Sequence, residues 1–133
     1  MSRGITLQLN KILHIEDDPD IQELTLFILE NLGGFVCQQR SSGDEAIEKA
    51  LQFIPDLMIL DVMMPGMNGP ETLAKLRKIQ EYKLVPTIFM TAKAQASEVK
   101  SLMELGSLDV YTKPFDPMTL VARINESWNS LVS

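Results

Sequence analysis

The chain has 133 residues, 45% of them hydrophobic, enough for one domain around one core. Its 18 acidic residues outnumber its 12 basic ones, and the resulting formal charge of -6 argues against direct binding to nucleic acid or to an anionic membrane surface. No stretch approaches the roughly 20 apolar residues of a membrane span. The N-terminus lacks a secretory apolar region, and the lone Cys37 permits no internal disulfide, so a reduced, cytoplasmic protein is expected.

Residues 1–10 carry no clear pattern and read as a short N-terminal arm. Strand-like and helix-like segments then alternate about five times. The strand candidates are 11–15, 35–39, 57–61, 85–90 and 108–112, each short, apolar and often β-branched. Several are apolar on both faces, as parallel strands covered on two sides must be. The lone His14 sits inside the first strand and reads as a packed residue rather than a phosphodonor. Cys37 reads as a small buried thiol.

The first helix is announced by Asp18-Pro19, a cap followed by proline at the first helical position, and is ended by Gly33-Gly34. Ile21, Leu24, Ile28 and Leu32 are its expected apolar face. The second begins at Ser42, with Glu45 completing a capping box and Ala46, Ile47, Ala50 and Leu51 as its stripe. The third, near 70–80, offers Leu73, Leu76 and Ile79. The fourth, near 95–105, offers Val99, Leu102 and Met103 before Gly106. The last starts at Asp116-Pro117 and runs through Leu120, Val121, Ile124 and Trp128, with Trp128 as a packing anchor. The alternation predicts an α/β fold, a five-stranded parallel sheet with helices on both faces.

Such sheets place their ligands at the carboxyl ends of the strands. Chemistry collects there. The first strand runs into Glu16-Asp17-Asp18, and the third ends in Asp61, before the Gly- and Pro-containing turn Val62-Met63-Met64-Pro65-Gly66. Buried acids are costly unless they are paired or bind a metal. Met90-Thr91-Ala92 follows the fourth strand and Thr112-Lys113-Pro114 the fifth. Asp18, next to Pro19, reads as a helix cap rather than a ligand. The remaining acids suggest one pocket for a hard divalent cation, in which one carboxylate could act as nucleophile.

The residues from Lys11 to about Leu131 resemble the receiver domain of two-component response regulators, the CheY-like family. The resemblance is carried by Ile12-Leu13-His14-Ile15-Glu16-Asp17-Asp18, by Asp61-Val62-Met63-Met64-Pro65-Gly66-Met67-Asn68-Gly69, by Thr91-Ala92 and by Lys113-Pro114-Phe115. The spacings agree as well: 44 positions from Asp17 to Asp61, 30 from Asp61 to Thr91 and 52 from Asp61 to Lys113.

The resemblance implies a (βα)5 doubly wound, flavodoxin-like receiver over residues 11–131. It implies Mg²⁺ held directly by Asp17 and Asp61, by Glu16 through water, and by the backbone carbonyl of Met63. Asp61 is then the phosphoacceptor, with Thr91 and Lys113 contacting the phosphoryl group. Small Ala92 leaves the pocket open, and Lys113-Pro114 is a candidate cis peptide. Implied partners are a sensor histidine kinase or a histidine phosphotransfer protein, and a downstream protein contacted through residues of about 95–130.

Two departures stand out. Many receivers carry an aromatic residue three positions before the lysine, where this chain has Val110, and the aromatic follows at Tyr111. Strand alternation puts these two on opposite faces, which questions an aromatic switch coupled to Thr91. Met63 and Lys93, each two positions past a key residue, border the pocket and should tune the lifetime of the phosphoryl group. Met63 also counts against an aspartyl-phosphate hydrolase, which needs a second acid there. A phosphorylation-independent interaction module on the same fold is the remaining alternative.

Overall fold

The computed structural model describes residues 8–93 and 95–132. Most of the expected N-terminal arm, residues 1–7, lies outside them. Leu9, at its end, is buried in the core.

Among the described residues five parallel strands form one sheet in the order β2-β1-β3-β4-β5. They are β1 (Lys11–Ile15), β2 (Val36–Arg40), β3 (Leu57–Asp61), β4 (Thr87–Thr91) and β5 (Asp109–Thr112). Every residue of β3 and β4 is buried, because helices cover both faces of the sheet centre. The helices are α1 (Pro19–Phe27), α2 (Gly43–Glu48), α3 (Gly69–Leu76), α4 (Ala96–Glu104) and α5 (Pro117–Val132).

Strand alternation divides the core in two. Ile12, Ile59, Ile88 and Met90 face a cluster containing Leu120, Ile124 and Trp128 of α5. Leu13, Met58, Leu60 and Phe89 face the other side, with Ala46 of α2, Leu73 and Leu76 of α3 and Leu102 of α4. Trp128 is therefore a core residue, as expected. The strand order reverses direction at β1, between β2 and β3, and the crevice at the carboxyl ends of β1 and β3 lies there.

Local chemistry explains the helix ends. Asp18 Oδ1 accepts hydrogen bonds from the backbone N–H groups of Asp20 (2.8 Å) and Ile21 (3.4 Å), so it is the cap of α1. Ser42 caps α2 by accepting from Glu45 N at 3.0 Å. The expected capping box there is incomplete, because Glu45 Oε1 reaches the N–H of Ser41, one residue too early. A complete box stands at α3 instead, between Asn68 and Glu71.

The expected apolar face of α1 is also corrected. Leu24 and Leu32 are exposed, whereas Thr25, Ile28 and Leu29 are buried. Leu24 flanks the buried line within regular helix, and a π-helical turn over Ile28–Leu32 follows α1 and shifts the phase at Leu32. Leu51, assigned to the α2 stripe, is 67% exposed, because the helix tightens into a 3₁₀ turn at Ala50–Gln52. Met103 of α4 is exposed as well.

His14 is packed as expected. The Gln39 side-chain amide donates to the Gln22 carbonyl at 2.8 Å and sits 2.9 Å from His14 Nδ1. With an amide N–H aimed at it, Nδ1 acts as acceptor, so the ring is neutral. Burial first, and the charge of Lys113 second, push its pKa down from 6.5 to about 3. A depressed folded-state pKa means that the unfolded chain takes up the proton first. This stability is therefore present above pH 6.5 and lost as pH falls toward 3, reaching about 2 kcal/mol at pH 5. Urea denaturation of the wild type and His14→Leu at pH 7.5 and pH 5 is expected to show the wild type losing that amount relative to the variant. Parallel changes would contradict it.

Candidate phosphoacceptor site

Glu16 continues β1 beyond its last strand residue and is only 1% exposed. Its backbone N–H donates to the Arg40 carbonyl at 3.0 Å, and its own carbonyl accepts from Gln22 Nε2. Its carboxylate is divided between two partners. Oε2 accepts from Asp18 N at 3.1 Å, and Oε1 lies 2.7 Å from Lys113 Nζ. Asp61, the last residue of β3, is 4% exposed and places Oδ1 2.9 Å from the same ammonium. Asp17 stands exposed at the rim. One carboxylate oxygen from each of Glu16, Asp17 and Asp61 can be chosen so that all lie within 4.8 Å of one another.

The structure thus brings together Glu16, Asp17, Asp61 and Lys113, residues drawn from three strand ends. It also places Thr91 at the carboxyl end of β4, next to β3, where it is 1% exposed. The backbone N–H of Lys113 donates to the Thr91 carbonyl at 2.8 Å, which ties the lysine to this end of the sheet. The Lys113-Pro114 peptide is cis. Met63 projects an exposed side chain beside the site, Met64 is buried, and Lys93 and Ala92 are exposed.

Electrostatics follow from this crowding. Burial pushes the Asp61 carboxyl up from 3.8 to about 6; hydrogen bonding to Lys113 opposes the rise, and the Glu16 and Asp17 charges add to it. For Lys113, burial works against the ammonium. Hydrogen bonds to Glu16 and Asp61 outweigh it and raise the pKa.

An all-oxygen set of three carboxylates suits a hard cation such as Mg²⁺. The single ammonium offsets only part of their negative charge. The residues present therefore fit such an ion.

Two glycines let the acid loop form. Gly66 has φ +74°, a conformation that L side chains rarely adopt. Gly69, the first residue of α3, packs directly on the backbone of Asp61 and Val62. A Cβ there would collide with the Asp61 carbonyl oxygen and lie 3.0 Å from Val62 Cα. Gly69→Ala is expected to displace Asp61 and cost about 2 kcal/mol. Urea denaturation checks this, and a change below about 0.5 kcal/mol would contradict it.

The sequence shows Gly69 as part of a motif but not this contact. Nor does the sequence single out Glu98, whose carboxylate Oε1 accepts the Thr91 hydroxyl at 3.0 Å. An acid in the first turn of the helix after β4 was the available signal.

Tyr111 is buried, with its hydroxyl 2.8 Å from Ser127 Oγ and the Arg123 guanidinium 4.0 Å from its ring centre. Val110 packs against the opposite cluster, as strand alternation requires.

Comparison with known proteins agrees with the geometry. A family model described as the response regulator receiver domain matches residues 12–125. The chain belongs to the response regulator receiver family.

This receiver domain is 39% identical over 116 residues to the "transcriptional regulatory protein CpxR homolog" of Haemophilus influenzae, covering 87% of this chain and 49% of that protein. The chain thus spans about half the length of the curated relatives first matched. The solved structure of the chemotaxis response regulator CheY4 of Vibrio cholerae superposes with a TM-score of 0.82 at 27% identity, covering 90% of this chain and 99% of that one. The receiver domain of the sensor histidine kinase PA1611 of Pseudomonas aeruginosa, described with a magnesium ion coordinated in its active-site cleft, superposes at 0.78 with 26% identity, covering 92% and 99%. Among the described residues no helix is long and apolar enough to cross a membrane.

Proposed function

We propose that residues 11–131 form a phosphoacceptor switch whose nucleophile is Asp61. The donor is a sensor histidine kinase or a histidine phosphotransfer protein, and the cofactor is Mg²⁺. The observation that carries this reading is the position of the Lys113 ammonium, 2.9 Å from a buried Asp61 oxygen in a cluster of three acids. A structural ion pair needs one acid, and three strand-end carboxylates in one crevice are costly unless a cation is to be held.

Asp17 and Asp61 would hold the ion directly, Glu16 through water, and Met63 through its backbone carbonyl. Bound there, Mg²⁺ supplies positive charge to the phosphoryl oxygens during transfer. An Asp61 carboxylate oxygen forms the new O–P bond while the P–N bond of the donor phosphohistidine breaks, and the imidazole leaves with that electron pair. Lys113 neutralises charge on the transferred group, and Thr91 donates its hydroxyl to a phosphoryl oxygen. Phosphorylation then shifts an existing conformational equilibrium and changes the surface of α4, β5 and α5, at about residues 95–130, which a downstream protein reads. A cytoplasmic location fits the donors.

Incubation with acetyl phosphate and Mg²⁺, followed by intact mass measurement, tests the reading. A gain of one phosphoryl group is expected, lost in Asp61→Asn and on chelation. No gain from acetyl phosphate or from a phosphorylated histidine phosphotransfer protein would contradict it.

A further inference from the structure

The hydroxyl of Thr91 is already engaged. It accepts from the backbone N–H of Lys93 at 3.1 Å and lies 3.0 Å from Glu98 Oε1. A hydroxyl carries a single donor hydrogen. Because a carboxylate can only accept, that hydrogen points at Glu98, on α4. It cannot serve a phosphoryl oxygen at the same time.

We infer that Glu98 is a positioning residue for Thr91, a latch that holds the hydroxyl toward α4 and must release it when Asp61 carries a phosphoryl group. The inference rests on the reading of Asp61 as phosphoacceptor and adds the element through which α4 senses it.

The surroundings suit a latch. Gln95, which precedes α4, makes no side-chain capping bond, and Leu102 is the helix's single buried side chain among the described residues. The Thr91–Glu98 bond thus ties the first turn of a lightly anchored helix to the end of β4. A groove of about 520 Å³, lined in part by Val62, Lys93, Glu98 and Leu102, opens beside the carboxylate and gives it room to turn away. Tyr111 cannot supply this coupling, since it faces the opposite side of the sheet and its hydroxyl is bonded to Ser127.

Beryllofluoride, a phosphoryl mimic, separates the possibilities when titrated in saturating Mg²⁺ against the full chain. Glu98→Ala is expected to bind it about 3–10-fold more tightly than the wild type, the worth of one released hydrogen bond. Glu98→Gln, which keeps an acceptor of the same reach without the charge, is expected to gain less. Mg²⁺ affinity should be unchanged in both. In a Thr91→Val background, Glu98→Ala should have no effect, because no hydroxyl remains to release. Unchanged affinity in Glu98→Ala, or an equal gain with Val at position 91, overturns the latch alone. Failure of the wild type to bind beryllofluoride at all overturns both the latch and the phosphoacceptor reading.

Discussion

Asp61→Asn will make the metal-free protein more stable while it abolishes phosphoryl acceptance. The folded-state pKa of about 6 exceeds the ordinary 3.8, so the charged form is the one the fold disfavours. A raised acid pKa means that the native state binds more protons between pH 3.8 and pH 6. Stability is gained as pH falls through that window, and above it the carboxylate is held charged at a cost. An uncharged amide of similar shape recovers part of that cost at pH 7.5. Urea denaturation in EDTA should show a gain of about 1–2 kcal/mol. Saturating Mg²⁺ should narrow the difference, because an ion bound by the native wild type stabilises it by mass action. A destabilised Asn variant would mean that Asp61 is a structural ion-pair partner rather than a strained nucleophile.

Lys113→Met is expected to act in the opposite direction. It would leave Glu16, 1% exposed, and Asp61 without the ammonium that lies 2.7 and 2.9 Å from them. Removing one partner of a buried pair costs about 3 kcal/mol or more. That loss should be seen in EDTA at pH 7.5 and reduced by Mg²⁺, which replaces the missing charge. The same substitution should strengthen Mg²⁺ binding, because the lysine competes for the same carboxylates. In an Asp61→Asn background the cost should shrink, since one repelling charge has gone. A Lys113→Met protein as stable as the wild type, with unaltered Mg²⁺ affinity, would show that the ion pair contributes nothing.

The two variants express one conflict. The crowded carboxylates cost stability in the metal-free fold, and the Lys113 ammonium, 2.7 and 2.9 Å from two of them, offsets part of that cost.

Much of this was legible in the sequence because parallel strands buried on both faces write themselves as short apolar runs. The residue that ends such a run is placed by the sheet, so Glu16, Asp61, Thr91 and Lys113 fall at one end of it, where the strands terminate. Helix faces were less legible. Leu24 lies beside the buried line of Thr25, Ile28 and Leu29 rather than on it, and Leu32 falls in the π-helical turn at Ile28–Leu32, which breaks a uniform period. Glu45 satisfies the capping-box pattern, yet its side chain turns to the N–H of Ser41, a choice the spacing does not encode.

Glu98 was missed for a different reason. Its partner lies in another element, and the chain between them turns through a loop whose path no periodicity predicts. Gly69 could be quoted as part of a motif, but its role depends on how closely α3 approaches the Asp61 backbone, which is a tertiary fact.

The most direct test is a crystal structure of the full chain grown with Mg²⁺ and beryllofluoride. The expected structure has the cation among Glu16, Asp17 and Asp61, beryllium bonded to an Asp61 oxygen, Lys113 on a fluorine, and the Thr91 hydroxyl turned from Glu98 toward another fluorine. A crevice in which Lys113 keeps both carboxylates and neither ion binds would contradict it.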